Sequence, residues 1–386
     1  MTTTLDAREM MQDAETRTGL SDWGDTTFRE PFDLLIGDLN THAALTEIGR
    51  QRARRRLMDT LCSRLELVED RTRFPGIAAE TIDRPIFVIG LPRSGTTFFH
   101  NLLTADPANR SPMTWEIMYP SPPPEPATYA SDPRIARARA AMAFEGFMAP
   151  DLQAIHPFEA ERPEECNFLW ELSFATVNYS AWWNVPTYNA HLYSMDFTPV
   201  YAEEKKALQH LQHRMHGDRW VLKTPAHHAW MDELLAVFPD ALFVQCHRDP
   251  AKIIPSLSSN LAVWRRTFSD LPPQGDFGML QQQARVLKNV ARVRAASGME
   301  ARFFDAHFLD VQADPIAVLE ACYAHFDIAT TPERIAAVRD WMEEDRAAHA
   351  KGPKHTYALA DIGLDYAEID KAMGDYISAC AVQLER

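Results

Sequence analysis

A chain of 386 residues with 46% hydrophobic content can bury a sizeable core, and its length suits one elaborated domain or two. Its formal net charge of -15, without a long Lys/Arg block, argues against a nucleic-acid partner, because phosphate-backbone affinity needs a clustered positive surface. Five scattered cysteines with no CxxC pair fit neither a disulfide framework nor a thiolate metal site.

The opening segment, MTTTLDAREMMQDAETRTGL, is polar and acidic without an apolar signal core, and no apolar run approaches about 18 residues. The expectation is a soluble, cytoplasmic protein with no transmembrane segment. Residues 1 to about 30 are expected to be partly ordered only by docking, and residues 31 to 80 carry helical apolar spacing. Within that spacing the basic run Arg50 to Arg56 is read as a solvated face. Residues 1–82 thus form an N-terminal helical extension, and residues 83–386 the main domain.

IFVIG at 86–90 is a short β-branched run of the length of a buried strand, and WVLK at 220–223, ALFVQCHR at 241–248 and ARFFDAHFLDV at 301–311 offer three more. Helical patterns follow them, the last opened by Asp314 as N-cap and Pro315 in the first turn. Strand then helix, repeated, predicts an α/β fold of P-loop-like, three-layer form, with a central parallel sheet flanked by helices. Residues 115–215 are a long insertion too rich in Trp and Tyr for a disordered linker. It is expected to fold over the sheet's carboxyl edge, where open α/β sheets bind ligands.

Between the first strand and its helix, Gly90 and Gly95 keep the G-x-x-x-x-G spacing that lets backbone N–H groups wrap a tetrahedral anion at a helix N-terminus. A nucleotide-triphosphate loop places Lys after the second glycine, whereas Thr96 stands here. The cation lies inside the loop as Arg93, whose guanidinium can bridge two oxyanions and so suits an anhydride between two acidic groups.

PRSGTT after an apolar strand resembles the 5′-phosphosulfate loop of sulfotransferases, in the bacterial-type branch that carries Arg where cytosolic aryl and steroid members carry Lys. FVQCHRDPAKIIPSLSSN at 243–260 resembles the family's 3′-phosphate motif, matched by Arg248 and Ser256. Pro250 and Pro255 imply a turn between these two, so that both groups can point at one phosphate. The resemblance covers approximately residues 84–320. It implies 3′-phosphoadenosine 5′-phosphosulfate (PAPS) as donor and PAP as product, bound through Arg93, Ser94, Gly95, Thr96, Thr97, Arg248 and Ser256, with no metal required. Phe308 sits where the family often has an aromatic near the adenine, with a plain core phenylalanine as the alternative. Lys351 and Gly352 loosely match a basic-glycine segment near the 3′-phosphate.

Moving a sulfuryl group from an acid anhydride to an alcohol passes, by analogy with phosphoryl transfer, through a loose state whose charge gathers on the departing bridge oxygen. Positive donors aimed there are the main requirement. Arg93 is one candidate, and Lys223, ending the WVLK strand, is the other; LKTP matches the Lys-x-Pro of the family's tyrosyl-protein branch, to which the chain is distantly similar. The acceptor hydroxyl needs a base within reach. His156 follows Arg93 by 63 residues, close to the separation of loop cation and catalytic histidine in several sulfotransferases. Glu116 follows by 23, where it resembles the base of the tyrosyl-protein branch. The expectation is His156 as base, with Glu116 as base or orienting partner.

His210, His213 and His216 recur every three residues but would need a fourth metal ligand from elsewhere, and His227 and His228 could line the cleft. The insertion's aromatic residues suit a hydrophobic small-molecule or lipid alcohol or phenol, although such residues more often build a core. Two rival readings stand beside this one. A P-loop kinase or NTPase would need the missing lysine and a strand-end Asp, whereas a non-catalytic nucleotide-binding module would keep both anion loops without Lys223 and a base. The oligomeric state is left open, a homo-oligomer included.

Overall fold

The computed structural model describes residues 4–148, 159–271, 278–296, 298–349 and 358–386. They fall into two compact units, one of Met1–Ile82, Pro112–His216 and Leu261–Pro273, the other of Asp83–Ser111, Gly217–Asn260 and Gln274–Arg386.

The second unit holds the sheet: β1 (Ile86–Gly90), β2 (Asn109–Arg110), β3 (Arg219–Lys223), β4 (Leu242–His247) and β5 (Phe303–His307), in the order β2-β3-β1-β4-β5 with every pair parallel. All four expected strands form, three within their quoted runs and β3 starting one residue earlier, at Arg219. The fifth, β2, is two polar residues long, so no apolar periodicity announces it. Side chains alternate across the sheet as a pleat requires. Ile86, Val88, Val244 and Ala306 enter one buried cluster with Phe99 and Leu319. Phe87, Phe243 and Phe303 stack in a row instead, with ring centroids 6.0 and 4.7 Å apart. A second cluster joins the helices Pro250–Arg266, Met279–Arg294 and Tyr366–Ala379 through Ile254, Leu287 and Ile369. Asp314 caps the helix Pro315–His325, its carboxylate accepting from Ala317 N at 3.0 Å.

After β1 the chain runs out to β2 and β3 on one side, then crosses to β4 on the other. The loops after β1 and β4 therefore flank the point where strand order reverses, the usual ligand crevice of an open parallel sheet.

In the first unit, residues expected to be partly ordered only by docking form the helix Ala7–Thr18, which buries Met10 and Ala14. Their i, i+4 spacing makes one apolar stripe, and Asp6 caps the first turn by accepting from Glu9 N at 2.8 Å. The basic run also departs from expectation. On the helix Glu47–Arg73, Arg56 grips Glu171 through two bonds of 2.8 and 2.7 Å, Arg54 meets Asp13 at 2.6 Å, and the Arg52 guanidinium lies 4.6 Å from the Phe268 ring. Arg52 is buried and Arg56 half-buried against a buried partner, because an apolar stem and a planar fork let a guanidinium leave water once its charge is engaged, whereas the Arg54–Asp13 pair stays open to solvent. The insertion's Trp115, Trp170, Tyr179 and Trp183 are core residues. Among the described residues no helix is long and apolar enough to cross a membrane.

Candidate active site

β1 ends at Gly90, and the helix Thr96–Thr104 begins after Gly95. Leu91 O accepts from Ser94 N at 3.1 Å and from Ser94 Oγ at 2.7 Å, closing the turn between them. Both glycines are required by backbone angle, and Gly90 by space as well. Gly90 has φ 146°, and a Cβ there would stand 2.7 Å from Cys246 O; Gly95 has φ 95°, and a Cβ there would stand 3.2 Å from Phe308 Cδ2. Arg93 takes φ 70° without a glycine's freedom, a left-handed conformation that costs about 1 kcal/mol. Strain of this kind collects in functional loops.

Lys223 ends β3 beside β1, paired in register with Val88, and its Nζ donates to Thr97 Oγ1 at 3.3 Å. The lysine side chain is buried, whereas Arg93 and Thr97 are exposed. Arg248 follows β4 directly. Its Nη1 donates to the Arg93 carbonyl at 3.2 Å, and its guanidinium lies 3.9 Å from the centre of the Phe308 ring. Its other edge, Nε and Nη2, donates to the Glu385 carboxylate at 2.8 and 3.1 Å. One unit therefore gathers Arg93, Ser94, Gly95, Thr96, Thr97, Lys223, Arg248, Ser256 and Phe308.

The turn expected between Arg248 and Ser256 does not occur. The helix Pro250–Arg266 runs without a break through Pro255. Pro250 stands where no N–H is needed, Asp249 accepts from Ala251 N at 3.0 Å, and Pro255 forfeits a single intrahelical bond. Ser256 is buried about 9 Å of helical rise beyond Pro250.

Glu116 belongs to the other unit, fully buried, with Oε2 accepting from Met113 N at 2.9 Å and so capping its own helix Thr114–Met118. His156, Lys351 and Gly352 lie outside the described residues. The evenly spaced histidines diverge: His210 Nε2 meets Pro120 O at 3.0 Å, and His213 Nδ1 meets Glu80 Oε1 at 2.9 Å. His227 and His228 are fully buried in the turn Pro225–Ala229 rather than on a cleft wall, and burial pushes the His228 imidazole down to about 3.

Sequence reasoning missed the brace behind Arg248. His247 Nε2 meets Asp305 Oδ1 at 2.7 Å and Nδ1 meets the Tyr376 hydroxyl at 3.0 Å, while Arg294 donates to both Asp305 oxygens at 2.7 and 3.0 Å. Burial by itself would raise the Asp305 carboxyl, but the bonds from His247 and Arg294 outweigh it and hold the group well below its usual range. Burial also lowers His247, against the pull of Asp305. The register of β4 on β5, unreadable from the sequence, is what pairs His247 with this strand.

Beside the loop opens a cavity of about 350 Å³, lined by Gly95, Phe98, Phe308, Val311 and Arg346 among others. Cys246 forms part of its wall; burial pushes that thiol up to about 12, so it is no nucleophile.

The model of the Sulfotransferase family matches residues 85–332. The omega-hydroxy-beta-dihydromenaquinone-9 sulfotransferase Stf3 of Mycobacterium bovis is 26% identical over 298 residues, which are 73% of this chain and 72% of that one. Among solved structures, sulfotransferase STF1 from Mycobacterium tuberculosis H37Rv aligns with a TM-score of 0.85 at 30% identity, covering 97% of this chain and all of its own. Sulfotransferase STF9 from Mycobacterium avium aligns with a TM-score of 0.89 at 28% identity, covering 100% and 98%. With a matching family model over more than half its length, the chain belongs to the sulfotransferase family and is an enzyme with sulfotransferase activity.

Proposed function

We propose that this enzyme transfers a sulfuryl group from PAPS, directly and in line, to a hydroxyl of a hydrophobic small-molecule or lipid acceptor, leaving PAP. The observation that carries the reading is the bond from Arg248 Nη1 to the Arg93 carbonyl, 3.2 Å, because it joins two anion motifs from different strands at one point. When bound, the donor supplies an activated sulfuryl group held in an acid anhydride. The N–H groups at Gly95 to Thr97, in the turn that Ser94 closes, and the Thr96 and Thr97 hydroxyls hold its 5′ end. Arg248 and Ser256 take the 3′-phosphate. The cavity flanked by Phe98 and Phe308 has the volume and aromatic wall for a purine, and the absent Cβ of Gly95 leaves its floor open.

Arg93 and Lys223 present positive charge to the departing bridge oxygen, the task that magnesium shares in triphosphate enzymes. Lys223, buried and hydrogen-bonded to Thr97, is fixed before the donor arrives. His156 takes the acceptor's proton, and Glu116, anchored on Met113 N, orients it. Stf3 is named for omega-hydroxy-beta-dihydromenaquinone-9, which favours a lipid alcohol as acceptor class here. We assign acceptor selectivity to the N-terminal extension 1–82 and the 115–215 insertion, and donor chemistry to the remainder of 83–386. Five free cysteines suit a cytoplasmic placement.

The test is transfer of labelled sulfate from PAPS to a panel of long-chain alcohols and phenols, with magnesium ATP as the competing donor nucleotide. Labelled product from a hydrophobic alcohol supports the reading. Turnover of ATP with none of PAPS contradicts it.

A further inference from the structure

A bidentate grip on phosphate by arginine uses two parallel N–H donors on one edge of the guanidinium. At Arg248 that edge is already taken. Nε donates to Glu385 Oε1 at 2.8 Å and Nη2 to Glu385 Oε2 at 3.1 Å. Nη1 also donates to the Arg93 carbonyl, and Phe308 lies against the guanidinium at 3.9 Å, so the side-on fork is closed and the third nitrogen is already in use. A carboxylate in this position presents two negatively charged oxygens to the fork, as a phosphate can present two of its own.

The segment that carries Glu385 is seated on the same surface by several further bonds. Glu385 N donates to Asp249 Oδ2 at 3.0 Å, Gln383 Nε2 donates to Asp310 Oδ1 at 2.9 Å, and Arg386 Nη1 donates to Asp370 Oδ2 at 2.7 Å. Asp249 caps the helix after β4, and Asp310 stands two residues after Phe308, so these anchors fall on both sides of the arginine. The Glu385 and Arg248 side chains keep 17% and 24% of their surface exposed, which leaves the pair open to an incoming anion.

Resting on the assignment of Arg248 to the 3′-phosphate, we propose that Glu385 is an internal competitor for that phosphate. The nucleotide's 3′-phosphate must displace the Glu385 carboxylate to reach the Nε/Nη2 edge, so Glu385 weakens nucleotide affinity and returns to speed the departure of PAP. A nucleotide without a 3′-phosphate has no quarrel with Glu385 and is indifferent to it.

The experiment is calorimetric titration of the parent protein, Glu385→Gln and Glu385→Ala with PAP and with adenosine 5′-phosphosulfate, which lacks the 3′-phosphate. The expected result is PAP binding tighter by about fivefold or more in both variants, the worth of a partly exposed charge pair removed from competition, with adenosine 5′-phosphosulfate unchanged. Thermal midpoints within about 2 °C of the parent would show the variants folded, as loss of one such pair predicts. Parent binding of PAP with no gain in either variant, or an equal gain for both nucleotides, overturns the competition and leaves the assignment of the site intact. PAP uptake by none of the three proteins overturns the assignment and the competition together.

Discussion

Lys223 Nζ reaches Thr97 Oγ1 at 3.3 Å, tying the end of β3 to the helix that opens after the β1 loop. The contact holds a buried ammonium at the carboxyl edge of the sheet, where the loop cation Arg93 also emerges. A positive charge so placed serves the transition state more than the ground state, and removing one preorganised donor of this kind costs about 10²–10³ in kcat. Lys223→Met is therefore expected to lose about that much kcat, with the dissociation constant for PAP changed less than about threefold. Initial rates beside equilibrium binding check this; a variant that loses binding and keeps kcat would make Lys223 a binding residue only.

Arg93 carries two separable properties, its charge and its left-handed backbone at φ 70°. Arg93→Ala and Arg93→Gly should both lose activity about 10²-fold or more, since both remove the guanidinium. They should differ in stability. Glycine enters φ > 0 freely, so Arg93→Gly is expected to be the more stable by about 1 kcal/mol, read from urea midpoints. Equal midpoints would show that the loop relaxes when the arginine is gone.

The proton acceptor is tested by His156→Ala and Glu116→Ala. With His156 as base, its variant loses kcat by about 10²–10⁴ and retains PAP affinity, and the acidic limb of the pH–rate profile disappears. Glu116→Ala also removes the cap on Met113 N, so its loss should include about 1 kcal/mol of stability. The reverse pattern, with the acidic limb lost only in the glutamate variant, would transfer the role to Glu116.

Buried histidines give the fold a pH signature. Burial holds His227 well below its ordinary range and His228 down to about 3, whereas an unfolded chain protonates near 6.5. Below about 6.5 the unfolded chain binds protons that the folded chain refuses, so stability is full above that pH and falls as pH drops from there toward 3. Urea midpoints should decline between pH 7 and 5 by roughly 1 kcal/mol per pH unit for each histidine, and His228→Leu should flatten the slope. A slope unaffected by that substitution would contradict the assignment.

Much of the sheet and of the loop after β1 was legible because the patterns that build them are local. Glycine spacing, a cation in the loop and a strand ending in Lys or Arg are all short-range patterns, and β1, β3, β4 and β5 follow from β-branched and aromatic runs. What stayed hidden depends on partners distant in the chain. Arg50 to Arg56 reads as a solvated face until Asp13, Glu171 and Phe268 come to meet it, from 41 to well over 100 residues away. The brace of His247, Asp305, Arg294 and Tyr376 needs strand register, and the clasp of Glu385 on Arg248 spans 137 residues. Pro250 and Pro255 misled for a different reason: proline costs little at the first helical position, where Pro250 stands, and the helix carries Pro255 in its interior at the loss of one backbone bond, so neither enforced a break.

The most direct measurement is calorimetric titration with PAP and, separately, with magnesium ATP, on the parent protein and on Arg248→Ala. PAP is expected to bind the parent, Arg248→Ala to weaken that binding by about tenfold or more, and magnesium ATP to bind far more weakly than PAP. Tight binding of magnesium ATP with no uptake of PAP would contradict this reading.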